Sequence, residues 1–116
     1  DTFKSASAFA PITNPSTADW SKGALPAYLG ADEAKWADYD AVRLIESGSR
    51  FPAFFVDQGA ADNFFDGCNP HALQNACVET DIALTMRFQE GYDHSYFFIS
   101  TFMDDHLSWH ADRLRA

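Results

Sequence analysis

The chain has 116 residues and a formal charge of −9, from 17 acidic against 8 basic side chains, with 47% hydrophobic and 16% aromatic residues. That length allows one domain at most, and the apolar content excludes an intrinsically disordered chain. An acidic surface repels phosphate backbones, so nucleic acid is excluded as a natural partner, and no run of about eighteen apolar residues exists to span a membrane.

Cys68 and Cys77 are the only cysteines. Two are too few for a disulfide framework, so reduced thiols in a cytosolic protein are expected, and no neighbouring base marks either as reactive. The first residue is Asp1, with no signal-peptide pattern behind it, so the chain is expected to begin inside a longer protein.

Residues 3–9 (FKSASAF) read as a short strand that stops at Pro11. A loop of turn formers follows, then a short helix over 20–29, weakened by Gly23 and Pro26. Residues 32–47 read as a better helix: Trp36, Tyr39, Val42 and Ile45 recur every three residues near one face, acids sit in the first turn and Gly48 follows the end. The apolar run 51–56 (FPAFFV) suits a strand buried on both faces, as in a parallel sheet, with Asp57-Gln58-Gly59 ending it. A polar loop spans 60–69. Residues 70–80 read as a helix with Asn69 as N-cap and Pro70 in its first turn. Residues 82–88 (IALTMRF) form a further strand, 89–94 a loop, and 95–114 a long helix. In that helix Ile99, Phe102, Met103, Leu107 and Leu114 are the expected buried stripe. Strands alternating with helices predict an α/β architecture with a parallel sheet covered on both sides. Three strands are few for such a sheet, and further strands upstream are expected.

In open parallel sheets, sites form beyond the carboxyl ends of the strands. Two loops leave such ends here. One carries Asp57 and Asp62, the other Asp93, His94 and Ser95. An acid followed along the chain by a histidine is the order of the last two members of a serine-hydrolase triad, and Asp62 and His94 fit it in order and location. The histidine would accept the proton of a serine hydroxyl, and a carboxylate on its other ring nitrogen would fix the tautomer and stabilise the imidazolium. Placement alone leaves structural roles open for both residues.

The wording of the sequence goes further. Ser7-Ala8-Phe9-Ala10-Pro11-Ile12 with Asn14-Pro15, then Tyr28-Leu29-Gly30, Trp36 and Tyr39-Asp40-Ala41, resemble stretches of the S-formylglutathione hydrolases of the esterase D family. So do Asp57-Gln58-Gly59 with Asp62-Asn63-Phe64, and Arg87 with Gln89-Glu90-Gly91-Tyr92-Asp93-His94-Ser95-Tyr96. Phe98-Ile99, Thr101-Phe102, His106, His110 and Ala111 continue the resemblance to the end of the chain. It implies the C-terminal part of one α/β-hydrolase domain over residues 1–116, with the N-terminal half missing. It places the triad acid on Asp62 and the base on His94, and leaves Asp57 a structural turn role. It puts Trp20 against the acyl or thiol pocket, although the family's Pro-Trp-Gly is here Asp19-Trp20-Ser21. The segment 65–69 also departs from the family wording, at what reads as a surface turn. Asp93 is expected to cap the final helix and Ser95 to start it.

The family's nucleophile lies on a Gly-x-Ser-x-Gly elbow, and no such pattern occurs in these 116 residues. The expected activity is hydrolysis of the glutathione thioester S-formylglutathione to formate and glutathione, in the cytoplasm, with no cofactor and no metal, the chain alone being inactive. A homodimer is implied by the family. His106 and His110 stand four apart, a metal-compatible spacing without further ligands, so no metal site is expected. The alternatives are a general carboxylesterase of the same superfamily and a non-catalytic module that kept the hydrolase shape.

Overall fold

The computed structural model describes residues 2–19 and 21–116. Three strands lie side by side in the order β1 (Ala6–Phe9), β2 (Phe54–Gly59) and β3 (Leu84–Gln89), all parallel. The register sets Phe9, Asp57 and Arg87 at one level across the sheet. Because strand side chains alternate, β2 sends Phe54, Val56 and Gln58 to one face and Phe55 and Asp57 to the other.

The first face is covered by α3 (Ala41–Glu46) and α5 (Pro70–Thr80). Val42 and Ile45 meet Leu73, Ala76 and Cys77 there, over Val56 and Ile82. The second face is covered by α6 (Tyr96–Arg115), whose Phe98 packs with Ala10, Cys68 and Phe9. The α/β architecture with helices flanking a parallel sheet is therefore as expected, and Phe55 and Val56 are buried as a two-sided strand requires. No helix among the described residues is long and apolar enough to cross a membrane.

Several boundaries differ for identifiable reasons. The central strand is 54–59, not 51–56: Pro52 has no N–H for a ladder, and the polar Asp57 and Gln58 lie inside the strand, fully buried. The expected helix over 32–47 is broken into α2 (Glu33–Trp36), a 3-10 turn (Ala37–Tyr39) and α3. The break is at Asp40, which adopts an extended backbone. Its Oδ1 accepts the Arg43 N–H at 3.0 Å, capping α3, while Oδ2 accepts the Ser16 N–H at 2.9 Å and the Ser16 hydroxyl at 2.6 Å. Tyr39 is consequently exposed rather than on the buried face. Helix α1 (Ser21–Leu29) accommodates Pro26, and the 60–69 loop contains a short α4 (Phe65–Cys68). Asn69 does sit at the N-cap of α5, but in a left-handed conformation and without a side-chain cap bond.

The buried stripe of α6 also differs. Phe98 and His106 are buried, whereas Met103, Leu107 and Leu114 are exposed. The helix is rotated so that His106 and His110 face the sheet, because both rings find partners there. His110 lies between the hydroxyls of Ser5, at 2.7 Å from Nδ1, and Ser7, at 2.8 Å from Nε2.

Asp40 is buried and serves three donors, so its loss leaves them unpaired. Asp40→Ala is expected to cost about 2–3 kcal/mol of stability, read as a lower urea midpoint.

Candidate active site

The carboxyl ends of β2 and β3 lead into two loops that are stitched together by backbone hydrogen bonds. Ala60 N–H donates to the Gln89 carbonyl at 2.9 Å and Ala61 N–H to the Tyr92 carbonyl at 3.0 Å. The second loop turns at Gly91, whose φ of +81° suits a residue without a Cβ. The backbone approach at Gly59 leaves no room for a side chain: a Cβ there would collide with the carbonyl of Tyr92 and stand 2.7 Å from that of Asp93.

This stitching brings Asp62 and His94 together. His94 Nδ1 lies 2.8 Å from Asp62 Oδ2. A carboxylate only accepts, so Nδ1 carries the proton and donates it. The Asp62 side chain is wholly buried while that of His94 is 42% exposed. Asp62 is held from three directions: the Phe64 N–H donates to Oδ1 at 2.7 Å, and the Gln58 side-chain amide donates to Oδ2 at 2.8 Å, on the same oxygen that receives His94. The Phe64 ring sits edge-on to the imidazole, with centroids 5.3 Å apart. Beside His94 opens a depression of about 280 Å³ lined by Phe9, Ala10, Tyr96, Phe98 and Ile99. Ala10 holds a φ of +46°, a strained value for a residue with a Cβ, at the end of β1 against this depression.

Ser95 caps α6, its hydroxyl accepting the Phe98 N–H at 3.4 Å. The cap expected from Asp93 is thus made by its neighbour two positions on, because Ser95 has the extended backbone of an N-cap. Trp20, the expected pocket residue, lies outside the described residues.

Cys68 completes a group in which the Asp62 carboxylate, the thiol and a His94 ring nitrogen all lie within 4.8 Å of one another. A soft metal would need the thiolate. Burial, reinforced by the Asp62 charge, pushes the Cys68 thiol up to about 11, and its S–H reaches the Ala10 carbonyl at 3.5 Å. With the thiol neutral, the charged or ionisable donors left in the group are the Asp62 carboxylate and the His94 imidazole. Cys77 is buried in the core, and burial raises its pKa.

Asp57 does not make the expected turn. It is fully buried, and its Oδ1 accepts Arg87 Nε at 2.8 Å and Gln89 Nε2 at 3.0 Å, while Oδ2 accepts Arg87 Nη2 at 2.7 Å and His106 Nε2 at 2.8 Å. The His106 ring is stacked between Phe9 and Phe55, at 3.9 and 4.1 Å, and Arg87 also reaches Asp105 at 3.0 Å. Burial pushes the Asp57 carboxyl up, but the hydrogen bonds from Arg87, Gln89 and His106, with the Arg87 charge, outweigh it and hold the group below the ordinary carboxylate range. Sequence reasoning missed this network. Its one local signal was an acid and an amide at the end of an apolar strand.

The arrangement is a hydrogen-bonded carboxylate and imidazole at the ends of two adjacent parallel strands, and the sheet with its helices is part of an α/β-hydrolase fold. The chain belongs to the esterase family: the family model described as "Putative esterase" matches residues 1–109. It is 46% identical over 112 residues to the S-formylglutathione hydrolase of Paracoccus denitrificans, covering 97% of this chain and 40% of that protein. The solved structure of an S-formylglutathione hydrolase from Agrobacterium tumefaciens superimposes with a TM-score of 0.93 at 61% identity, over 97% of this chain and 41% of that one. Esterase B from Lactobacillus rhamnosis shares the fold, with a TM-score of 0.72 at 18% identity over 94% of this chain and 40% of its own. The chain thus spans about two fifths of the length of the relatives it matches.

Two outcomes follow for the folded protein. Gly59→Ala is expected to push the 89–94 loop away and separate His94 from Asp62, seen as loss of the hydrogen-bonded Nδ1 proton in the imidazole NMR spectrum. For Asp57, a carboxyl depressed in the folded state contributes stability that is present above its unfolded value of about 4 and lost as pH falls through the folded value. Asp57→Asn should therefore cost about 3 kcal/mol at neutral pH, with the gap to the unsubstituted protein closing in acid, as read by denaturant midpoints against pH.

Proposed function

We propose that the protein carrying this chain is a serine thioesterase that hydrolyses S-formylglutathione to formate and glutathione, with residues 1–116 as the C-terminal part of a single α/β-hydrolase domain. Asp62 and His94 are the acid and base of its triad, and the nucleophilic serine comes from the part of the protein that precedes them. One observation carries this reading: a wholly buried carboxylate holds Nδ1 of a half-exposed imidazole at 2.8 Å. The other ring nitrogen makes no hydrogen bond among the described residues, and His94 lines the depression. The similarity to S-formylglutathione hydrolases supports the substrate.

In this mechanism His94 Nε2 takes the proton of the serine hydroxyl as its oxygen bonds to the thioester carbonyl carbon. The C–S bond then breaks, the glutathione sulfur takes the proton from Nε2, and a formyl-enzyme remains. Water attacks the formyl carbon, giving one proton to Nε2; the serine oxygen leaves with that proton, and the product departs as formic acid, which ionises to formate in water. Water is the only co-reactant. His94 precedes the first turn of α6, where the helix dipole disfavours an imidazolium, and the Asp62 carboxylate offsets that cost each time the proton arrives. The reading extends to a cytoplasmic enzyme, in keeping with free thiols at Cys68 and Cys77, and to a homodimer. Small carboxylic esters form a second substrate class, favoured by the apolar walls Phe9, Phe98 and Ile99 beside His94.

In the complete protein, His94→Ala should lower thioester turnover by about a million-fold and Asp62→Asn by about ten-thousand-fold. Steady-state release of glutathione measures both, and a fully active His94→Ala protein would overturn the reading.

A further inference from the structure

We infer that Gln58 is a positioning residue for the reaction: its side-chain amide fixes the orientation of the Asp62 carboxylate and moderates the charge that His94 meets. The inference rests on the reading of Asp62 and His94 as the catalytic pair.

Three observations carry it. Gln58 is 0% exposed, and its Nε2 donates both to Asp62 Oδ2 at 2.8 Å and to the Gly59 carbonyl at 3.1 Å. Its Oε1 is buried without a hydrogen-bond partner among the described residues. The oxygen that receives the amide is the same one that receives His94 Nδ1.

A buried amide with half of its hydrogen-bonding capacity unused is a poor filler for a core position, where an apolar side chain of similar length avoids the desolvated carbonyl. Its presence is explained by the other half. The orientation of the amide is also settled by its neighbours: with Nε2 and Oε1 exchanged, the carbonyl would face the carboxylate and the Gly59 carbonyl, three acceptors with no proton between them. Two donors meeting on Oδ2, with the Phe64 N–H on Oδ1, leave the carboxylate no freedom to rotate about its terminal bond. The imidazole is therefore held in one plane by a carboxylate that is itself held. The amide also withdraws part of the negative charge from Oδ2. The titratable groups that the described residues bring to this carboxylate are His94 and Cys68. The thiol, pushed up to about 11 by burial and the Asp62 charge, stays neutral over the working range.

Removing the donor should have two effects. The carboxylate gains rotational freedom, so fewer encounters have the imidazole aligned. More of its charge also reaches the imidazolium, so the base keeps its proton to higher pH.

The test compares Gln58→Met and Gln58→Glu in the complete protein, assaying S-formylglutathione hydrolysis across pH. Gln58→Met, nearly isosteric but without a donor, should lower kcat by about 10- to 100-fold, leave KM within about twofold, and move the acidic limb of the kcat/KM profile to higher pH. Gln58→Glu can donate to Asp62 only while it holds a proton. Its activity relative to the unsubstituted protein should be best in acid and fall as pH rises. Gln58→Met with unaltered kcat and an unmoved acidic limb would overturn the proposal, as would a loss in which KM and kcat change together and the limb stays in place. Should Gln58→Met fail to fold, Gln58→Glu decides: a pH-independent ratio to the unsubstituted protein sinks the positioning role. His94→Ala run alongside separates the two levels. Activity retained there removes the acid–base reading itself, whereas an inactive His94→Ala beside an unaffected Gln58→Met removes only the role of Gln58.

Discussion

A carboxylate taken wholly out of water is stable only when its lone pairs are used, and Asp57 meets that condition with four donors from β3 and α6. Those bonds fix more than the residue that makes them. Arg87 and Gln89 hold the end of β3 level with the end of β2, and His106, clamped between Phe9 and Phe55, ties α6 to β1 and β2. The two loops that carry Asp62 and His94 leave from the strands joined here. Their separation is thus set below them, by a charge cluster in the sheet, before any contact between the loops themselves.

Two buried acids five residues apart do different work because their partners differ. Asp57 faces a guanidinium, which keeps its charge at every accessible pH, so that pair can anchor but cannot pass a proton. Asp62 faces an imidazole that is partly open to solvent, the ring that moves the proton in the proposed mechanism while the carboxylate stays in place. The stacked His106 is also bonded to a carboxylate, yet it is buried on both faces by aromatic rings and has no access to a reacting atom. Exposure of the ring, more than the presence of a histidine–carboxylate pair, distinguishes the proposed catalytic site from the cluster that holds the fold.

The sequence was most legible where a local pattern decided the outcome. Helix α5 begins at Pro70 and ends at Thr80 as read, because the helix-compatible proline and the following residues need no distant partner. The Asp62–His94 pairing was also legible, since chain order and the position of each residue after a strand are local facts, and the resemblance to a known family named the same two residues. What could not be read depended on contacts across long separations. Asp40 breaks a helix because Ser16 offers it donors from 24 positions away. Apolar periodicity does not give the facing of α6, because the pull of Asp57 on His106 acts across 49 positions. The Gln58 amide is not legible because the apolar pattern ends three residues before β2 does, where its side chains turn from apolar to polar.

That rotation of α6 leaves Tyr96, Met103, Leu107 and Leu114 on a row facing water, spaced so that they share one side of the helix. The excess of seventeen acids over eight bases gives copies of this 116-residue chain a mutual repulsion that opposes contact through that row. Added electrolyte screens that repulsion at separations beyond about 10 Å at 0.1 M and leaves the greasy ridge untouched. Handled by itself, the chain should be a molecule whose tendency to clump rises with ionic strength, the opposite of what an ion-paired surface would do.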